Sequence, residues 1–158
     1  MTLPPAPSGA PSGAQCSGSS ENRDFFAAAA QAVSWPVYCA VLPSGWFVES
    51  GSWELKNGGK VTVTYKGPNG ANLTLNEGTY CTGGASACSP HDHEIGQAAF
   101  GDMTGTLDDL GPNPPADGYA IYVNPGASPP SWSLTGTNID QASFTAIAAA
   151  LLKVPAGT

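Results

Sequence analysis

The residues best suited to chemistry fall in one short stretch, Cys88-Ser-Pro-His91-Asp92-His93-Glu94. In an extended segment His91 and His93 point to one side, Asp92 and Glu94 to the other. Two imidazoles so spaced can ligate zinc or copper, which makes His91 and His93 the candidate metal ligands. A structural zinc site takes four ligands and a catalytic one at least three. The third would have to come from Cys88 or Asp102, and Cys88 is lost to it if bonded to Cys81. Two further readings stand beside the metal: a polar surface loop next to a disulfide, and a pH-sensitive patch, because imidazole titrates near neutrality.

Other catalytic patterns find no support. Gly-x-Ser-x-Gly is absent, and Ser44-Gly45-Trp46 reads as a turn into a strand. Asp108 and Asp109 are adjacent, so in a strand they diverge instead of facing each other across a scissile glycosidic bond. No glycine-rich loop leads into Lys-Ser/Thr, so no phosphate cradle is expected. The reading is of a non-enzymatic chain without a cofactor. Aromatic side chains offer a second kind of site. Trp35, Trp46, Trp53, Trp132, Tyr65, Tyr80, Tyr119 and Tyr122 belong mostly to a core, but any exposed ones could form a glycan platform or line an apolar groove.

The cysteines number four. Cys81 and Cys88 bracket Thr-Gly-Gly-Ala-Ser-Ala, a small-residue loop that closes easily, and are expected to form a disulfide. Cys39 lies in an apolar run and reads as a small buried hydrophobe. Cys16 falls in a flexible tail, and a Cys16–Cys39 bridge stays open as a possibility. A disulfide needs an oxidising compartment.

Positioning these residues falls to elements that the composition already limits. Glycine and proline contribute 20 and 15 of 158 residues, too many for a helical bundle and suited to short strands and turns. With 5 basic and 12 acidic residues the net charge is −7, which disfavours nucleic acid and anionic lipid. No apolar run approaches the ~18–20 residues of a membrane span. Residues 1–20 (MTLPPAPSGAPSGAQCSGSS) lack a basic and an apolar signal region. They read as a disordered Pro/Gly/Ser-rich linker. Residues 21–158 read as a single domain.

Residues 21–34 read as a helix capped by Ser19 or Ser20 and ended by Trp35-Pro36. Strands follow at 37–42, 46–55, 60–65 and from 72 towards Tyr80, with turns at Pro43–Gly45, Asn57–Gly59 and Pro68–Gly70. Another strand is expected around 99–107, bent by Gly101 and Gly105. Two more follow at 119–123 and 132–137. A closing helix is expected over 139–153, with Asn138 and Gln141 forming a capping box. The fold class is α+β: a twisted, mostly antiparallel sheet of about seven strands with an N-terminal and a C-terminal helix packed on it.

The order of VLPSGWFVESGSWEL, KVTVTY, NLTLNEG, FGDMTGTL, GYAIYV, SWSLTG and IDQASFTAIAAALLKV resembles a family of uncharacterised bacterial extracytoplasmic domains. Such domains occur in membrane-anchored lipoproteins and in anti-sigma-factor-like proteins. The positions that carry the resemblance are Leu42, Pro43, Gly45, Trp46, Gly101 or Gly105, Trp132, Gly136, Ile147, Ala148 and Leu151, and it spans about residues 37–153. The Cys81–Cys88 loop and the His91/His93 segment depart from the pattern. No catalytic residue carries over. The resemblance implies an exported binding, sensing or envelope-associated domain, tethered through the linker to an anchor removed from its N-terminal side. Its partner would be a protein or a small molecule. The alternatives are a carrier of a small apolar ligand between sheet and helix, and the His91/His93 metal protein.

Overall fold

The computed structural model describes residues 15–79, 93–110, 118–124 and 130–155. Seven strands form one antiparallel sheet: β2 (Phe47–Glu54), β3 (Lys60–Lys66), β4 (Asn72–Gly78), β5 (Glu94–Phe100), β6 (Met103–Asp109), β7 (Gly118–Val123) and β8 (Ser131–Thr137). Their spatial order is β2-β3-β4-β8-β7-β6-β5. Two meanders, β2–β4 and β5–β8, therefore join where β4 pairs with β8. Strict alternation made β3 and β4 legible: Val61, Val63 and Tyr65, then Leu73 and Leu75, are buried, and the residues between them are half-buried. Across the register the buried set continues into Trp132 and Leu134 of β8 and Tyr119, Ile121 and Val123 of β7.

Two helices lie on that buried face. Helix α1 (Ser20–Ala32) starts at Ser19, whose hydroxyl accepts from the Asn22 N–H while Asn22 Oδ1 accepts from the Ser19 N–H. It buries Phe26 and Ala29 and sets the Phe25 ring over Gly51 of β2, where an added Cβ would come within 3.0 Å of it. Helix α2 (Gln141–Ala149) buries Phe144, Ile147 and Ala148. Its Phe144 packs on Tyr119, with ring centroids 6.0 Å apart. A side chain at Gly136 of β8 would stand 2.9 Å from Phe144 Cδ1 and 2.7 Å from Leu73 Cδ2, so this close approach needs glycine.

Four expectations change. The run at 37–42 does not extend the meander. Only β1 (Tyr38–Cys39) is extended there, and it pairs with β9 (Leu152–Lys153) as a separate two-stranded ladder on the covered face. Residues 37–40 are all buried, as suits a strap lying between layers. The closing helix is shorter than 139–153. Asp140 caps it by accepting from the Ser143 N–H at 2.7 Å, whereas Asn138 takes a positive φ and donates its amide to the Gly70 carbonyl. After Ala150 the chain extends to make β9. The single bent strand at 99–107 is a hairpin, β5–β6, turning at Gly101, whose φ of +58° suits glycine. Last, the linker expected over 1–20 gives way before its C-terminal end: Cys16 is buried and Ser20 opens α1. Residues 1–14 lie outside the described residues.

The reason for that early packing is covalent. Cys16 is disulfide-bonded to Cys39, with Cα atoms 5.5 Å apart. Cys39 is thus a bridge partner and not an isolated apolar side chain. The bridge belongs to an oxidising environment. Among the described residues no helix is long and apolar enough to cross a membrane.

Candidate functional site

His93 is the described member of the histidine pair. It is exposed and precedes β5, with Nδ1 3.8 Å from Asp109 Oδ1. His91, Cys81 and Cys88 lie outside the described residues, as does Tyr80. Asp102, a possible third ligand, sits at the opposite end of the β5 strand, roughly 20 Å away at the strand rise. It is engaged there by the Tyr38 hydroxyl, which donates to it, and by Lys153 Nζ at 3.3 Å. The Tyr38 hydrogen bond, with Lys153 adding to it, holds the Asp102 carboxyl below its ordinary range. Among the described residues no group of three or more His, Cys, Asp or Glu is assembled for a metal.

Most of the aromatic residues serve packing. Trp35, Tyr65, Tyr119 and Trp132 are buried, while Trp46, Trp53 and Tyr122 are half-buried. Trp46 and the neighbouring Val41, Leu42 and Pro43 face Ser143, Ala146 and Ile147 of α2 and its C-cap Ala150 across an open, largely apolar groove. Between sheet and helices, Phe26, Tyr38, Tyr65, Phe100 and Phe144 are all buried.

The reverse face of the sheet has a different chemistry. Across β2, β3, β4 and β8 the register aligns Ser52, Thr62, Asn76 and Ser133 in one row. The next row is Ser50, Thr64, Thr74 and Thr135. Every member is a hydroxyl or an amide. Neighbours stand about 4.8 Å apart across strands and about 7 Å along them. Thr62 Oγ1 donates to Asn76 Oδ1 at 3.0 Å, tying two strands side chain to side chain. Charges flank the rows, with Glu54 and Lys60 at one end and Lys66 at the other, where Lys66 pairs with Glu49 at 3.9 Å, and the second row runs on through Ala120 of β7 to Asp108 and Glu94. A hollow at the β2 corner is lined by Ser52, Trp53, Glu54, Lys60 and Thr62. It brings hydroxyls beside one ion of each sign, while the Trp53 side chain alternates to the covered face opposite Val61 and packs on the core. The sequence showed the alternating threonines but not that four strands would bring them into register, because the β4–β8 pairing is non-local.

Glu77 escaped the sequence reading. It shares the inward parity of Leu73 and Leu75 in Asn72–Gly78, and a carboxylate at that parity was the available signal. In the structure it is fully buried between Val61 and Trp132. Its Oε1 accepts the Tyr38 N–H at 2.6 Å, while its Oε2 has no hydrogen-bond partner among the described residues. Burial raises its pKa well above the ordinary carboxylate value, and the Tyr38 N–H only partly opposes this. Two positions on, the Ala40 N–H is accepted by Tyr65 Oη at 3.2 Å. Glu77 and Tyr65 together thus satisfy two strap amides that would otherwise be buried without acceptors.

No family model matches the chain, and neither a curated protein nor a solved structure matches it.

Proposed function

We propose that this chain is a non-enzymatic, extracytoplasmic binding domain, held at a membrane through its N-terminal side. It presents the hydroxyl face of its sheet to an uncharged, polyhydroxylated ligand such as a cell-envelope glycan. The single observation that carries the reading is the pair of rows from Ser52 to Ser133 and from Ser50 to Thr135, which carry no charge across β2, β3, β4 and β8 and of which only Ser133 is buried. Solvated sheet faces commonly carry charged side chains, and such charges resist burial under a neutral ligand. Here hydroxyls and amides offer donors and acceptors together. The extracytoplasmic placement is supported by the Cys16–Cys39 bridge and by the resemblance over residues 37–153.

The test is an NMR titration of the protein with neutral envelope polysaccharides. Shifts centred on Thr64, Thr74 and Thr135 are the expected result. Shifts confined to the helix side, or none with any envelope fraction, would overturn the binding face. Placement is checked separately by thiol labelling of native material without reductant: four free thiols per chain would sink it.

A further inference from the structure

The covered face contains a titratable device that a glycan-binding role does not use. The strap formed by residues 37–43 crosses the layer between sheet and helices. It is held to β9 by a two-residue ladder and to Cys16 by the disulfide. Towards the sheet, its Tyr38 N–H rests on Glu77 and its Ala40 N–H on Tyr65. A neutral carboxyl can occupy a dry site; a carboxylate there needs a cation or several donors. Glu77 has one donor. The titratable groups that face it among the described residues are the phenols of Tyr38, from β1, and Tyr65, from β3. Its cross-strand neighbours are Val61 on β3 and Trp132 on β8, and Trp35 packs on the adjoining Gly78. None of these is a cation.

We propose that Glu77 latches the strap to the sheet only while its carboxyl holds a proton, so that a rise in pH unseats the strap. When that proton passes to a base in solvent, the carboxylate draws water or opens outward. Tyr38 then loses its seat. The same strap continues into Val41, Leu42 and Pro43, one wall of the apolar groove against α2. Unseating therefore changes the shape of that groove, while the disulfide and the β9 ladder keep the strap from leaving the domain.

The sign follows from linkage. An unseated Glu77 is solvated and titrates in the ordinary carboxylate range, whereas the seated one holds its proton to higher pH. The strap-open population should therefore rise about tenfold per pH unit between those two points and level off above the second. The experiment is amide exchange of the whole chain across that range, with Tyr38 and Ala40 read against Leu134 in β8 to cancel intrinsic rates. The Glu77 side-chain carbon is titrated by NMR in the same samples. The expected result is a relative loss of Tyr38 protection that tracks the carboxyl titration, and no such dependence in Glu77→Gln. Titration of Glu77 in the ordinary carboxylate range with Tyr38 still protected would overturn the latch. So would an unchanged pH dependence in Glu77→Gln. If that variant does not fold, the wild-type carboxyl titration and Tyr38 protection still decide between the two results.

Discussion

The two faces of the sheet use the same strands and the same alternation, yet they solve opposite problems. On the covered face, Val61, Val63, Leu73, Leu75, Ile121 and Leu134 are almost inaccessible and meet Phe26 and Phe144 from the helices. On the reverse face, Thr62, Thr64, Thr74, Asn76 and Thr135 keep part of their surface in water. A core face tolerates little change in volume, because every neighbour is already in contact. A hydroxyl face can be altered at small cost to the fold and at large cost to whatever it recognises. Glu77 and Tyr65 are the exception on the covered side: polar atoms there are kept because a strap must be hydrogen-bonded to a sheet that it does not join.

The contrast can be broken most severely from the covered side. Phe144→Ala removes the ring that α2 sets on Tyr119 and Gly136. It should cost about 3–5 kcal/mol in urea unfolding, with little strand loss in the residual fold. Replacing Cys16 and Cys39 together by serine should cost about 2–4 kcal/mol. The loss should appear first as exchange in α1 and the strap, measured by mass spectrometry. Glu77→Gln keeps the acceptor for Tyr38 but removes the titratable group. Because the native pKa is raised, wild-type stability is fullest below the ordinary glutamate range and declines as pH climbs towards the native value. The variant should lack that decline, as thermal melts at several pH values will show. The mildest change sharpens the contrast best: Thr64→Val with Thr74→Val should move stability by no more than about 0.5 kcal/mol per site. It should nonetheless abolish the NMR shifts produced by envelope glycan.

Legibility in the sequence followed the range of the interaction. KVTVTY and NLTL alternate, and Asn57 and Asn69 sit at positive φ in the turns that separate these strands, so the first meander could be read locally. The Ser19 cap and the Trp35-Pro36 stop likewise placed α1 within a residue or two. Non-local choices were not legible. Nothing near Cys39 shows that its partner lies 23 residues upstream, nor that residues 38–39 pair with 152–153. The apolar tail of the last helix, Leu151-Leu152, fits a helical stripe and a strand equally well, and the pairing with β1 decided for the strand. For the candidate site the same rule applies. The threonines are visible one strand at a time, but the platform exists only once β4 meets β8.

The Cys16–Cys39 bridge also decides how the molecule would carry a mechanical load. A pull on the chain upstream of Cys16 does not peel α1 turn by turn, because the sulfur–sulfur bond passes tension directly into β1. From there the pairing of Tyr38 and Cys39 with β9, and the hydrogen bond of the Val154 N–H to the Val37 carbonyl, carry it to Val154. Tension applied beyond Val154 reaches that ladder at the end opposite Cys39, so its bonds are loaded together in shear and do not unzip singly. The seven-stranded sheet stands outside this path. A domain pulled from both ends would bear the force on one covalent link and a short ladder, leaving its hydroxyl face undistorted.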